Sequence, residues 1–131
     1  MTTEQLKNWI RTQDGDFTPC IRLGGVDANK PRFLGVYPAA DSGPAHVCLG
    51  GLPCTTMGTT KYRLLLRWGK ALPAAEAKAK ALWGLFYGLS SADMDGAQVC
   101  YADPGAGPIP IGQGNDGVFE FVINLKIVSK E

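Results

Sequence analysis

The stretch VFEFVINLKIV, residues 118–128, alternates apolar and polar side chains over its whole length. Five large apolar residues fall on one side of an extended chain: Phe119, Phe121, Ile123, Leu125 and Ile127. Val118, Glu120, Val122, Asn124, Lys126 and Val128 fall on the other side. Because successive side chains of a strand point to opposite faces, the stretch predicts a strand with one face packed on a helix and the other half wet.

Immediately upstream, residues 112–117 read GQGNDG and match the spacing G-x-G-x-x-G. A dinucleotide-binding loop of this kind must lead into a helix, whose N-terminus receives the pyrophosphate. Here the strongest strand of the chain follows instead. We therefore interpret the stretch as a turn, in which Gly117 after Asp116 supplies a positive φ.

A second strand is predicted by YRLLLRW, residues 62–68, with Tyr62, Leu64, Leu66 and Trp68 on one face. Arg63 and Arg67 flank Leu65 on the opposite face. For this arginine pair two interpretations stand side by side. It belongs to a wet sheet surface, or it is a subunit-contact or lumen-facing pair.

Two helices are predicted. The first covers about residues 3–12, with Thr2 as N-cap and Gln5 at the capping-box position. The second lies in LPAAEAKAKALWGLFYGLS, where Pro73 suits the first turn and alanine favours helix. Its predicted buried stripe is Ala75, Ala79, Leu82, Phe86 and Leu89. Its predicted wet face is Glu76, Lys78 and Lys80. Gly88 and the run SSADMDG are expected to end it.

The remaining segments are shorter. Residues 20–23 and 33–37 read as paired strands around a polar turn, and AQVCY, residues 97–101, reads as another strand. ADPGAGPIPIGQGNDG reads as a loop. Residues 38–60 are rich in Gly, Pro, Ser and Thr, with a short strand HVCL near the middle.

The fold class predicted is α+β, a mostly antiparallel sheet with two helices packed on one face and a long protruding loop at about 38–61. A single domain, 1–131, accounts for the length. A small barrel with the helices outside is the alternative.

Composition excludes several classes of protein. Thirteen basic and twelve acidic residues leave a net charge of +1, without a basic block, which disfavours a dedicated nucleic-acid binder. The N-terminus lacks the apolar core of a signal peptide, and the longest apolar run is too short to span a bilayer. We expect no membrane association and thiol cysteines in a reducing cytoplasm.

Candidate catalytic and metal-binding residues do not assemble into a site in the sequence. Cys48 and Cys54 lie too far apart for a zinc pair, while Cys20 and Cys100 read as small apolar strand residues. His46, the only histidine, has no acidic partner in view for a dyad with Cys48.

Two further groups of residues invite a functional interpretation. Asp93, Asp95 and Asp103 lack calcium-loop spacing and read as solvated turn carboxylates. Trp9, Trp68 and Trp83 read as core anchors and not as base-stacking side chains. We therefore expect no catalytic residues, no metal and no cofactor, in a protein that acts through its surfaces.

From Lys61 onward the chain resembles the minor capsid and tail-terminator family of long-tailed, siphovirus-like phages. The resemblance rests on KYRLLLRW, the Ala/Lys-rich helix AAEAKAKALWGLFYGL, a short strand, and PIPIGQGNDGVFEFVINLKIV. The positions that match the family's proline-containing loop and last strand are Pro108, Pro110, Ile111, Gly112, Asp116, Gly117, Phe119, Phe121 and Asn124. The stretch VCLGGLPCTTMGTTK departs from the pattern.

The resemblance implies a structural virion protein in the neck or tail, present in the host cytoplasm before assembly. Such proteins form a hexameric ring that caps the tail tube and joins it to the head connector. The implied partners are other copies of the chain, the tail tube protein and a head connector or stopper protein. Non-specific DNA passage through the lumen is left open. A head-side connector or stopper protein, and more remotely a small cytoplasmic enzyme using Cys48 or Cys54, are the alternatives.

The apolar residues Leu49, Leu52 and Met57 lie in the long loop, away from any predicted core. With Arg63 and Arg67, they are the residues we predict at the interface with a neighbouring subunit or the tube.

We expect residues 40–60 to become protected from amide hydrogen exchange when the protein assembles with the tube, because the apolar loop is then buried. Exchange measured on the free and the assembled protein tests this. Equal protection in both states would contradict the assignment.

Overall fold

The two central strands of the sheet are the ones that the alternating patterns predict. The computed structural model describes residues 2–24, 31–39, 57–114 and 116–130. β3 (Met57–Trp68) and β7 (Phe119–Lys130) run antiparallel, in register from Met57 opposite Lys130 to Arg67 opposite Glu120. In this register Leu64 faces Ile123 and Leu66 faces Phe121, so the apolar faces of both strands point the same way.

The other strands join on either side of this pair. β1 (Ile21–Leu23), β2 (Arg32–Pro38), β4 (Ser90–Met94), β5 (Ala97–Asp103) and β6 (Ile109–Gln113) complete the order β1-β2-β3-β7-β5-β4. β6 pairs with β7 off this path. β5 pairs with the C-terminal part of β7, near Ser129, and β6 pairs with its N-terminal part, near Phe119. Among the strands of the described residues, every pairing is antiparallel except that of β1 with β2.

Two helices cover one face of this sheet, as the α+β prediction requires. α1 (Thr3–Gln13) starts with the predicted capping box between Thr2 and Gln5. α2 (Leu72–Phe86) has Pro73 in its first turn. Trp9 of α1 contacts Phe86 of α2, with ring centroids 5.3 Å apart. The buried residues of both helices share one core cluster with the apolar faces of β3 and β7.

Several boundaries differ from those predicted. The run SSADMDG does not simply end α2, because residues 90–94 form β4. Asp95 and Gly96 then make a two-residue hairpin turn, both with positive φ. Likewise the predicted loop at 102–117 contains β6, an edge strand that is exposed along its whole length. Both strands are polar or proline-containing, so neither shows the apolar alternation of a buried strand.

Two more predictions are corrected at the start of the sheet and in the long loop. Residues 20–23 and 33–37 do pair, but in parallel, so they are not a simple hairpin. β3 begins at Met57, so residues 57–61 belong to a strand and not to the loop. The predicted strand HVCL lies outside the described residues.

Lys78 does not face water as predicted. Its Nζ lies 2.5 Å from Asp14 Oδ2 and 3.0 Å from Asp16 Oδ2, and its side chain is only 11% exposed. The ammonium also lies 4.7 Å from the Phe17 ring centroid and 4.8 Å from that of Trp68. This cluster ties α2 to the segment that follows α1. Leu89, predicted in the buried stripe, is half-buried and lies beyond the helix end.

The pKa values of this cluster show that the charged pair is favoured in the fold. Burial raises the pKa of Asp14, but the hydrogen bonds from Lys78 and from the Asp16 N–H outweigh it and hold the pKa below its ordinary value. For Lys78 burial acts to lower the pKa, and the bonds to Asp14 and Asp16 raise it overall. The ion pair therefore stabilises the fold fully at pH values between 3.8 and 10.5, which are the ordinary pKa values of the aspartate and lysine side chains.

We predict that Lys78→Met lowers the free energy of unfolding by about 1–3 kcal/mol at neutral pH, because two carboxylates lose their partner. The deficit should shrink as pH falls below 3.8 through the lowered pKa of Asp14, and as pH rises above 10.5 through the raised pKa of Lys78. Urea unfolding of both proteins across pH measures it. Lys80→Met, on the exposed face of the same helix, is the control. An equal loss in both variants would contradict the prediction.

Candidate interaction surface

The face of the sheet opposite the helices, here called the outer face, carries the polar side chains of β3 and β7. Arg63, Leu65 and Arg67 of β3 lie opposite Asn124, Val122 and Glu120 of β7, respectively. These are the side chains that the core does not use, since the alternate residues of both strands are buried under the helices.

Arg67 has a different place from the one predicted. It is only 5% exposed, and its Nε lies 3.2 Å from Glu120 Oε1 while its Nη2 is paired with Asp116. Its charge is therefore used within the chain, and the interpretation of Arg67 as a wet or partner-facing residue is corrected. Arginine suits this position because its planar fork can hold two carboxylates at once.

Asp116 joins this ion pair to the GQGNDG turn. Its Oδ1 accepts a hydrogen bond from the Val118 N–H at 3.2 Å. The Gly114 N–H donates to the Val118 carbonyl at 2.9 Å, and Gly117 has φ +83°. The stretch thus closes the β6–β7 hairpin, which confirms the turn interpretation and places a strand where a dinucleotide loop needs a helix.

The ion pair sets the protonation of Asp116. The hydrogen bond from Arg67 is the largest influence and lowers the pKa of Asp116 below its ordinary value, with the Val118 N–H adding to it. The carboxylate therefore stays charged to a lower pH than usual.

Arg63, by contrast, is exposed on the outer face, and its Nε donates to Asn124 Oδ1 at 3.4 Å. It borders a cavity of about 400 Å³ together with Lys61, Asn124 and Lys126. We call Lys61, Arg63 and Lys126 the cationic patch. Sequence reasoning missed it because Lys126 lies far along the chain from the other two, and only strand pairing brings them together.

A second concave surface lies between α2 and β6, and we call it the β6–α2 groove. It has a volume of about 450 Å³ and is lined mainly by apolar residues, among them Leu72, Ala79, Pro110, Phe119 and Phe121. Leu72 on its rim is 41% exposed. The neighbouring β6 residues Ile109 and Ile111 are 49% and 53% exposed. Sequence reasoning did not predict the groove, because it placed Ile109, Pro110 and Ile111 in a loop and not in a strand beside α2.

The predicted loop residues cannot be placed in the same way. Leu49 and Leu52 lie outside the described residues, as do His46, Cys48 and Cys54. Met57 is the first residue of β3, with its backbone opposite Lys130. The interface assignment of Leu49, Leu52, Met57 and Arg63 stays a prediction.

Two cysteines, Cys20 and Cys100, lie among the described residues, and Cys100 is a free thiol. Cys20 is buried just before β1, and its Sγ donates to the Asp16 carbonyl at 3.1 Å. Cys20 was predicted to lie in a strand, and this is wrong because β1 begins at Ile21. Cys100 does lie in a strand, half-buried in β5. Within the described ranges, no group of three or more His, Cys, Asp or Glu is placed to hold a metal ion.

The three carboxylates considered as a cation site are exposed, as expected, but only Asp95 lies in a turn, since Asp93 belongs to β4 and Asp103 ends β5. Asp93 and Asp103 accept hydrogen bonds from the N–H groups of Gly96 and Gly105. Asp95 accepts one from Asn8 Nδ2 at 2.8 Å, which attaches α1 to the β4–β5 turn.

The tryptophans are held as core anchors, in agreement with the prediction. Trp9 and Trp68 are buried. Trp83 is half-buried, stacks on Tyr87 and donates from Nε1 to the Gly105 carbonyl at 3.2 Å.

In the part of the chain that is described, neither helix has the length and apolar character needed to cross a bilayer.

No family model matches the chain. No curated protein matches it either. A solved structure with 16% sequence identity aligns over 100% of this chain and 96% of the other, with a TM-score of 0.46.

We predict that Arg67→Leu loosens the β6–β7 turn, because Asp116 loses the partner that holds it over Val118 N–H. Amide exchange at Gly114, Gly117 and Val118 should become several-fold faster, as read by NMR. In the wild type the same loosening should appear as pH falls through the lowered pKa of Asp116. Arg63→Leu, on the same face but exposed, is the matched control. Unchanged exchange in the Arg67 variant would refute the role of the ion pair.

Proposed function

We propose that this chain is a structural virion protein, a tail terminator that forms a ring capping the tail tube and joining it to the head connector. The resemblance of residues 61–128 to that family supports the proposal. The segments that carry it correspond to β3, α2, β5, the β6–β7 hairpin and β7. On this proposal the protein binds other proteins through its surfaces and makes or breaks no bond.

The observation that carries the proposal is the β6–α2 groove. Apolar side chains exposed beside a concave apolar surface are costly in water, at about 25 cal/mol per Å² of apolar area. Such a patch marks a contact site more often than it marks an ordinary surface. Leu72 is exposed where it lines the groove, so a partner that fills the groove and covers this side chain gains this free energy.

The shape of the groove suits a ring. On this proposal the groove of one copy receives a convex surface of the next copy in a head-to-tail contact. Contacts of this kind close into rings when the rotation between subunits permits it. β6 itself is an edge strand, but Pro110 removes one donor from it, so we place the contact on side chains in the groove and not on strand addition.

The proposal is tested by mixing the purified protein with a tail tube protein that polymerises. We expect tubes of arrested length with a ring at one end in negative-stain electron micrographs, and a hexamer by native mass spectrometry. Rings that ignore the tubes but attach to portal rings would instead indicate a head-side connector or stopper protein. A protein that stays monomeric with both partners present would refute the proposal.

We predict that Leu72→Glu abolishes ring formation while keeping the fold. A glutamate in the first turn of α2 is compatible with the helix dipole, so folding should not suffer. It would, however, place a charge on the rim of the apolar groove. Ala74→Glu adds the same charge to the same turn at an exposed position outside the groove. Light scattering and circular dichroism of both variants measure the effect. Rings formed equally well by the two variants would show that the groove is not the contact.

A further inference from the structure

β1 and β6 lie on opposite sides of the central strands β3 and β7. β1 is joined to β3 through β2, whereas β6 pairs directly with β7. The register connects the two outer strands in one row of side chains: Ile21, Leu34, Leu66, Phe121 and Pro110. Four strand spacings separate β1 from β6, a distance of about 19 Å. Each copy of the chain therefore has the β6–α2 groove on one side of its central strands and β1 level with it on the other side.

β1 presents an apolar side chain and a cation on different faces of the sheet. Leu23 is the register partner of Val36, and Val36 is the partner of Leu64, both of which are buried under the helices. Leu23 therefore points to the helix side, where it is 38% exposed. Arg22 is also exposed, and it points to the outer face because neighbouring residues of a strand alternate.

The β6 side of the sheet has complementary features on the same two faces. The apolar β6–α2 groove lies on the helix side. On the outer face Arg67 supplies one guanidinium to two carboxylates, those of Asp116 and Glu120, so this cluster has a net charge of −1. The two carboxylate side chains are 43% and 25% exposed, so a second cation can reach them.

We propose that β1 of one copy is the surface that enters the β6–α2 groove of the next copy. Leu23 then contacts the apolar lining on the helix side. Arg22 adds a second guanidinium to the two carboxylates on the outer face, and arginine is well suited to such contacts because its planar fork matches a carboxylate. This inference rests on the proposed function, since it identifies the partner surface of the same groove.

Tyr87 and Tyr101 are competing candidates, because both are exposed apolar side chains. Tyr101 belongs to β5, which pairs with the same edge of β7 as β6 does, since β3 occupies the other edge. Tyr87 stacks on Trp83, whose Nε1 donates to the Gly105 carbonyl between β5 and β6. Both tyrosines therefore lie on the groove's own side of the sheet. A head-to-tail ring needs two different surfaces facing two different neighbours, which favours β1.

The test uses two variants that each keep one of the two surfaces. Leu23→Glu keeps the groove, and Leu72→Glu keeps β1. Both positions are exposed, and circular dichroism checks the fold. NMR of isotope-labelled Leu23→Glu titrated with unlabelled Leu72→Glu should show amide shifts along the groove, at Ala79, Gly112 and Phe119. With the labels exchanged, the shifts should fall on residues 22–24. The unlabelled double variant Leu23→Glu/Leu72→Glu has neither surface and should leave both spectra unchanged.

The ionic part of the contact is tested in the same titration. Adding Arg22→Gln to the unlabelled Leu72→Glu variant should weaken its binding to labelled Leu23→Glu by about tenfold or more, because the carboxylates lose their second guanidinium. Arg11→Gln, at an exposed position of α1, is the matched control and should leave the affinity unchanged. An equal loss from both substitutions would contradict the contact of Arg22 with the carboxylates.

The outcome for the ring is read separately on the wild type. Suppose that the wild type forms rings but the two variants do not bind each other, or that the exchanged-label shifts fall on Tyr87 or Tyr101. The β1 contact is then wrong, and the proposed ring stands. A wild type that stays monomeric in the presence of tube and portal proteins would refute the proposed function and this inference together.

Discussion

The antiparallel pairing of β3 with β7 is the constraint on which the rest of the structure depends. Its register places Tyr62 opposite Leu125, Leu64 opposite Ile123 and Leu66 opposite Phe121, so that two apolar faces become one. A slip of one residue would turn these side chains to the outer face and expose them. β2 extends this pair on the β3 side, β5 and β6 extend it on the β7 side, and both helices pack on the surface that it creates.

The same register decides which charges meet on the outer face. At one end Arg67 meets Glu120, and with Asp116 they form an ion pair that holds the β6–β7 turn. Four residues before Arg67 on β3, Arg63 lies opposite Asn124. Two residues before Arg63, Lys61 lies opposite Lys126. Opposite charges therefore stabilise the fold at one end of the sheet, whereas two lysines are register partners at the other end. The β6–α2 groove lies at the Arg67 end, since Glu120, the register partner of Arg67, also lines the groove.

The elements that were predicted correctly are those determined by residues close together in the sequence. The capping box of Thr2 and Gln5, the alternation of residues 118–128 and the Asp116-Gly117 turn each need only a few neighbouring residues. β4 and β6 were missed because edge strands are stabilised by one neighbour and need no apolar alternation. Lys78 was predicted to be solvent-exposed because helical spacing does not show which charged residue forms an ion pair with a distant segment of the chain.

The sequence by itself determined the α+β class, the two central strands, both helices and the side of each that is buried, because apolar periodicity acts over one element at a time. It also indicated a protein without an assembled catalytic cluster. Only the tertiary structure decided that β1 runs parallel to β2, that Arg67 is used inside the chain, and that Lys126 joins Lys61 and Arg63. Each of these depends on residues far apart in the chain, which meet only when strand pairing sets their register.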